Sequence, residues 1–138
     1  MTEYLYEGQL VDVKPTNLHG SMKVAPSTSL AAGLVVMDNG SNQLVLATDG
    51  VEGSSGVITQ TIDNSASSTA TDKPYTYTYF GWVRLVAKTA ISQGVGIMCG
   101  EGGKVKPLGA GDPKLKIGRA MNAASAEDDI ILALVYFG

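Results

Sequence analysis

From Gly20 onward, apolar residues arrive in short runs broken by Gly, Asn-Gly, Asp-Gly and Asp-Pro, the pattern of β-strands joined by turns. Leu34–Met37 is followed by Asn39-Gly40, a favoured pair for a tight hairpin, and Gln43–Ala47 returns from it. Val57–Ile62 is rich in β-branched residues. Tyr75-Thr76-Tyr77-Thr78-Tyr79 alternates strictly, with three aromatics on one face and threonines on the other. Trp82–Ala87, Val95–Cys99, Lys104–Lys106 and Leu115–Ala120 read as further strands. Ile130–Phe137 is continuously apolar, which predicts a last strand covered on both faces. Ala123–Asp129 is either one helical turn or a long turn, and no segment has an amphipathic helical period. The predicted class is all-β, a small β-barrel or sandwich.

The same pattern is written twice. Gly20-Ser21-Met22-Lys23-Val24, Leu30 and Gly33 recur as Gly81-Trp82-Val83-Arg84-Leu85, Ile91 and Gly94, an offset of 61 residues (Gly20 to Gly81). That offset also pairs Met37 with Met98 and Leu44 with Val105, and with one residue of slip Gly56-Val57-Ile58 meets Gly118-Arg119-Ala120. The chain therefore divides into an N-terminal arm, 1–19, and a single β domain, 20–138, built from two similar halves, 20–62 and 81–138. The halves are joined by 63–73 (DNSASSTATDK), which has no large apolar residue and reads as a flexible surface loop. In the arm, Tyr4-Leu5-Tyr6 and Leu10–Val13 have the composition of short strands, with a flexible terminus as the other reading. A duplicated set of strands with no reactive side chains at matched positions points to a structural or binding role.

A chain of 138 residues fits one domain and buries roughly two-thirds of its unfolded surface, so it needs no metal or disulfide staple. Its one cysteine, Cys99, lies in an apolar run and reads as a small buried hydrophobe. The N-terminus lacks the pattern of a signal peptide and the longest apolar run is too short for a membrane helix, so synthesis in a cytoplasm is expected. A net charge of −3 argues against nucleic acid, and Lys104, Lys106, Lys114, Lys116 and Arg119 alternate with apolar residues as solvent faces do.

Positive evidence for an enzyme is absent, and spacing alone leaves open only paired carboxylates for glycoside hydrolysis, which need only meet in space. The only histidine is His19, so a Ser-His-Asp triad has no other base, and Glu52–Gly56 does not meet the glycine spacing of a nucleophile elbow. One His and one Cys cannot close a zinc site, and Glu127-Asp128-Asp129 lacks the spacing of a calcium loop and reads as a solvated turn. Gly102-Gly103-Lys104 has Met98 where a phosphate loop needs its first glycine and Val105 where it needs Ser or Thr. No catalytic, metal or cofactor-binding residue is assigned.

The second half carries Gly81–Leu85, Ala90-Ile91-Ser92-Gln93-Gly94, Gly103-Lys104-Val105, Ile117-Gly118-Arg119-Ala120-Met121, Ala123–Ala126 and an apolar closing strand. This succession resembles the small capsid cement, or head decoration, proteins of tailed bacteriophages, closely over 81–138 and more loosely over 20–62. The resemblance implies a non-enzymatic virion protein on the capsid exterior, made in the host cytoplasm. Its partner would be the major capsid protein, as a homotrimer that stabilises the head, without nucleic acid, membrane or small-molecule substrate. Tyr4, Leu5 and Tyr6 are candidate anchors for strand addition to a capsid subunit. Tyr75, Tyr77 and Trp82 are further interface candidates, because aromatic residues are enriched at hot spots. The other reading is a different virion or tail module, a carbohydrate-binding β-domain using the tyrosine face.

Overall fold

The computed structural model describes residues 17–137. It is all-β, and no described residue is α-helical; two 3-10 turns lie at Glu101–Gly103 and Pro113–Leu115. Eleven strands form in chain order: β1 Leu18–Val24, β2 Thr28–Leu30, β3 Val35–Asp38, β4 Gln43–Leu46, β5 Gly56–Ile58, β6 Ile62–Asn64, β7 Tyr75–Val86, β8 Gly96–Cys99, β9 Val105–Pro107, β10 Lys116–Ala120 and β11 Ile130–Tyr136. Nine of them make one sheet in the order β1-β4-β3-β5-β7-β11-β10-β8-β9, while β2 and β6 pair separately.

The pairing is ring-like, and the nine strands do not close as one continuous barrel. At one end β1 pairs with β4 in parallel and also turns back to pair with β7. At the other end Ala87, just past β7, bridges in parallel to Val105 of β9. The antiparallel pairings of the two ends correspond, with the one-residue slip entering between the fourth and fifth strands. Asp38↔Leu44 and Met37↔Val45 in the first half become Cys99↔Val105 and Met98↔Lys106 in the second. Val36↔Gly56 becomes Ile97↔Gly118. Leu30↔Ile62 becomes the isolated bridge Ile91↔Ala124. Even the turns agree: Gly33 and Gly94 sit at φ of 90° and 87°, a left-handed conformation that glycine adopts without strain.

β7 belongs to both rings. Sequence reasoning predicts separate strands before and after Gly81, whereas Tyr75–Val86 runs unbroken. Position 81 requires glycine, because the Asn17 side chain occupies the space a Cβ would need, donating to Trp82 O (3.0 Å) and accepting from Trp82 N (2.9 Å). Leu18 and His19 thus belong to β1, and Asn17 is bonded to β7, while the other residues of the arm lie outside the described ones.

Two apolar clusters fill the molecule. Val24, Leu30, Val36, Leu44, Ile58 and Ile62 form one, with Tyr75 and Tyr77 packed against it. The other is built around Val83, Leu85, Ile97, Val105, Ile131 and Val135, and it takes Val35 and Val57 from the opposite sides of β3 and β5. Val35-Val36 and Val57-Ile58 are apolar on both faces because these strands separate the two clusters. The loop 63–73 is more fastened than its composition predicts. Val24 N donates to Thr71 Oγ1, Thr71 N returns to Val24 O (both 3.0 Å), and Asn64 Nδ2 donates to Ala25 O (2.9 Å).

The acidic turn before β11 is also more than solvated. Asp128 N donates to Ala87 O and Ala87 N to Asp129 O, each at 2.8 Å. Glu127 pairs with Lys88 (3.1 Å) and Lys104 (3.0 Å), while Asp128 pairs with Lys104 (2.7 Å). This network spans the place where β9 meets the end of β7. Hydrogen bonds from Lys104 and Lys88 hold the Glu127 carboxyl below its usual value, and the Asp128 and Glu127 carboxylates raise Lys104.

Two outcomes are expected. Gly56 and Gly118 approach a neighbouring backbone at equivalent places: a Cβ on Gly56 meets Thr78 O at 2.5 Å, and one on Gly118 overlaps Leu134 O. Gly56→Ala and Gly118→Ala should each lower the unfolding free energy in urea by about 1–3 kcal/mol; two neutral results would refute the shared constraint. Glu127, lowered in the folded state, stabilises fully above its usual value of 4.5 and loses this as pH falls through the folded value. Lys104 and Lys88, raised, stabilise fully below 10.5 and lose this as pH rises. The Tm difference between wild type and Glu127→Gln should therefore be level between those values and shrink at both extremes, and a difference indifferent to pH would contradict the network.

Candidate interaction surface

Strand alternation on β7 turns Tyr75, Tyr77, Tyr79, Val83 and Leu85 inward and puts the even positions on the other face, where Thr78 is buried and Thr76, Phe80, Trp82 and Arg84 are exposed. Phe80, Trp82 and Arg84 consequently stand on the outer face, with Phe80 45% and Trp82 37% exposed. Antiparallel register then sets Tyr136 opposite Phe80, Leu134 opposite Trp82 and Leu132 opposite Arg84. Leu18 of β1 lies opposite Phe80 on the other side. The result is one apolar stripe across β1, β7 and β11, to which Ile130, 54% exposed, adds the end.

This overturns the expectation that Ile130–Phe137 is covered on both faces. β11 alternates strictly, with Ile131, Ala133 and Val135 buried and Ile130, Leu132 and Tyr136 exposed. Nothing in the described chain lies over its outer side. A continuously apolar strand that the fold covers only once is the signal sequence reasoning read without locating the open side.

Polar groups edge the stripe. Arg119 lies opposite Leu134, so Arg84 and Arg119 flank the apolar residues, and neither makes an ion pair among the described residues. Beside Trp82, a groove of about 700 Å³ runs between β7 and the Ala32-Gly33 turn, lined also by Asn17, His19, Thr59 and Ile130. Thr78 is the one buried polar side chain among the described residues, and it is satisfied by His19 Nδ1 at 3.0 Å.

The sequence candidates separate here. Trp82 is at the centre of the outer stripe. Tyr75 and Tyr77 are on the inner side, half-buried against the first cluster, with the Tyr77 ring over Gly20. The structure does not bring them together with Trp82, and Tyr4, Leu5 and Tyr6 lie outside the described residues. Sequence reasoning missed Leu18, Phe80, Leu132, Leu134 and Tyr136, which period-two reading of β7 and β11 in register makes visible. Cys99 is 1% exposed, and burial pushes its thiol up to about 12, so it stays protonated at neutral pH.

No family model matches the chain, and no curated protein matches it in sequence. Among solved structures, the fold is similar to that of the N base of head fiber gp8.5 in bacteriophage phi29. The TM-score is 0.65 at 16% identity, over 86% of this chain and 94% of that one.

If the outer stripe serves binding rather than folding, Trp82→Ser and Leu132→Ser should each change the unfolding free energy by less than about 1 kcal/mol. The inward Leu85→Ala should cost about 2–5 kcal/mol. Urea denaturation of the three variants checks this, and equal losses would make the stripe structural.

Proposed function

We propose that this protein is a structural component of a phage virion that binds the outer surface of the assembled capsid and stabilises it, as a decoration or cement protein. The observation that carries the reading is the likeness of fold to a head fiber base over most of both chains. The open apolar stripe supports it, because a surface of this kind is a place for protein contact. In this reading the protein catalyses nothing, and its partners are the major capsid protein and further copies of itself, as a homotrimer on the capsid exterior.

A cement works by linking neighbouring capsid subunits so that outward pressure must break the added contacts as well as the original ones. That task needs a rigid body and at least two separate contacts. The double-ring fold supplies the body, and the N-terminal residues, with Tyr4, Leu5 and Tyr6 as anchors, supply one contact by adding a strand to a capsid subunit. The carbohydrate-binding reading rests on the tyrosine face, of which Tyr75 and Tyr77 pack against the first core.

Co-sedimentation with emptied, expanded heads of the phage that encodes the protein provides the test. Binding to expanded heads and not to compact procapsids is expected, with deletion of residues 1–13 weakening it at least about tenfold. Failure to bind either particle contradicts the reading, and unchanged binding after the deletion removes the arm from it.

A further inference from the structure

We infer that the outer face of β7 and β11 is the surface through which copies of this chain pack against one another. The inference deepens the reading proposed above and rests on it, since it names the partner of a surface that reading leaves unassigned.

Three observations lead to a second copy. The first is composition. The outward positions of β7 from Phe80 onward and of β11 are Phe80, Trp82, Arg84, Val86, Ile130, Leu132, Leu134 and Tyr136, and they hold one charge, with no Lys, Asp or Glu. Interfaces between proteins that meet late are about as polar as ordinary surface, whereas those between identical subunits are more apolar and favour aromatics and Arg.

The second is area. Leu18, Phe80, Trp82, Ile130, Leu132 and Tyr136 are each 37–54% exposed. At roughly 200 Å² for a large side chain, they present roughly 500 Å² of apolar surface. A stable interface buries roughly 800 Å² per partner, about two-thirds of it apolar in a homodimer. The stripe therefore matches the apolar centre of such an interface, with the polar groups around it as the rim.

The third is shape. The stripe crosses three hydrogen-bonded strands, so it is a sheet face, and sheet faces bury one another by stacking about 10 Å apart.

Sedimentation equilibrium of the full chain across about a hundredfold range of concentration tests the inference. Wild type should approach a multiple of the chain mass. Leu132→Lys and Trp82→Lys should each weaken self-association by about 30-fold or more. Thr89→Lys, on an exposed turn, should not change it. Far-UV circular dichroism verifies folding, and the milder Leu132→Ser replaces any variant that fails. Trp82 is the only tryptophan, so its emission should shift red on dilution as the face is uncovered.

A monomer at every concentration, or association unchanged in both lysine variants, overturns the inference. So does Trp82 emission that ignores dilution but shifts red when residues 1–16 are removed, which assigns the face to the chain's own N-terminal segment. Emission that shifts blue only on expanded heads assigns it to the capsid and likewise overturns it. The two readings fail separately. A wild type that self-associates through this face yet ignores heads keeps the inference and contradicts the capsid role. A monomer that binds heads does the reverse.

Discussion

β7 is held from both sides, and the arrangement depends on that double use. Its first half pairs with β1 and β5, and its whole second half pairs with β11, so one strand is a wall of both rings. Because strand side chains alternate, this fixes which residues fill the molecule and which face away. Tyr75, Tyr77, Val83 and Leu85 go to the two clusters, and Phe80, Trp82 and Arg84 go outward. A one-residue slip on β7 would exchange the two sets in both rings at once, so its register is strongly specified.

The second half copies the first in pairing rather than in composition. Val36↔Gly56 and Ile97↔Gly118 share a position where a glycine lets one strand approach the next, and Leu30↔Ile62 and Ile91↔Ala124 share a bridge while differing in bulk. The two halves differ most in how they are finished. The first is tied to the hydrogen-bonded loop 63–73, and at the closure of the second Glu127 and Asp128 pair with Lys88 and Lys104. These charges are exposed, so each pair contributes little alone, and the backbone bonds around Ala87 carry the closure.

Much of this was legible in the residues. The all-β class, most strands and the matched glycines follow from apolar runs and turn chemistry, and the tyrosine face of β7 alternates as written. What was not legible is long-range. Gly81 reads as a break until Asn17 is seen filling the space beside it, and Leu18 and His19 read as arm until β1 is seen paired with β7. The chemistry of Asp63–Lys73 and Glu127–Asp129 is polar either way, and only the fold shows which partners those groups meet. The apolar run of β11 predicts two covered faces, and the described chain covers one of them. A single sequence states that a face is apolar but not what lies over it.

The measurement that goes most directly to the central claim is electron cryomicroscopy of expanded heads incubated with the full-length protein. The account predicts density for the double-ring body on the head exterior, with the β7–β11 face of each copy turned towards another copy and the Asn17 end towards the capsid. A body absent from the heads, or one whose β7–β11 face is bare to solvent, would contradict it.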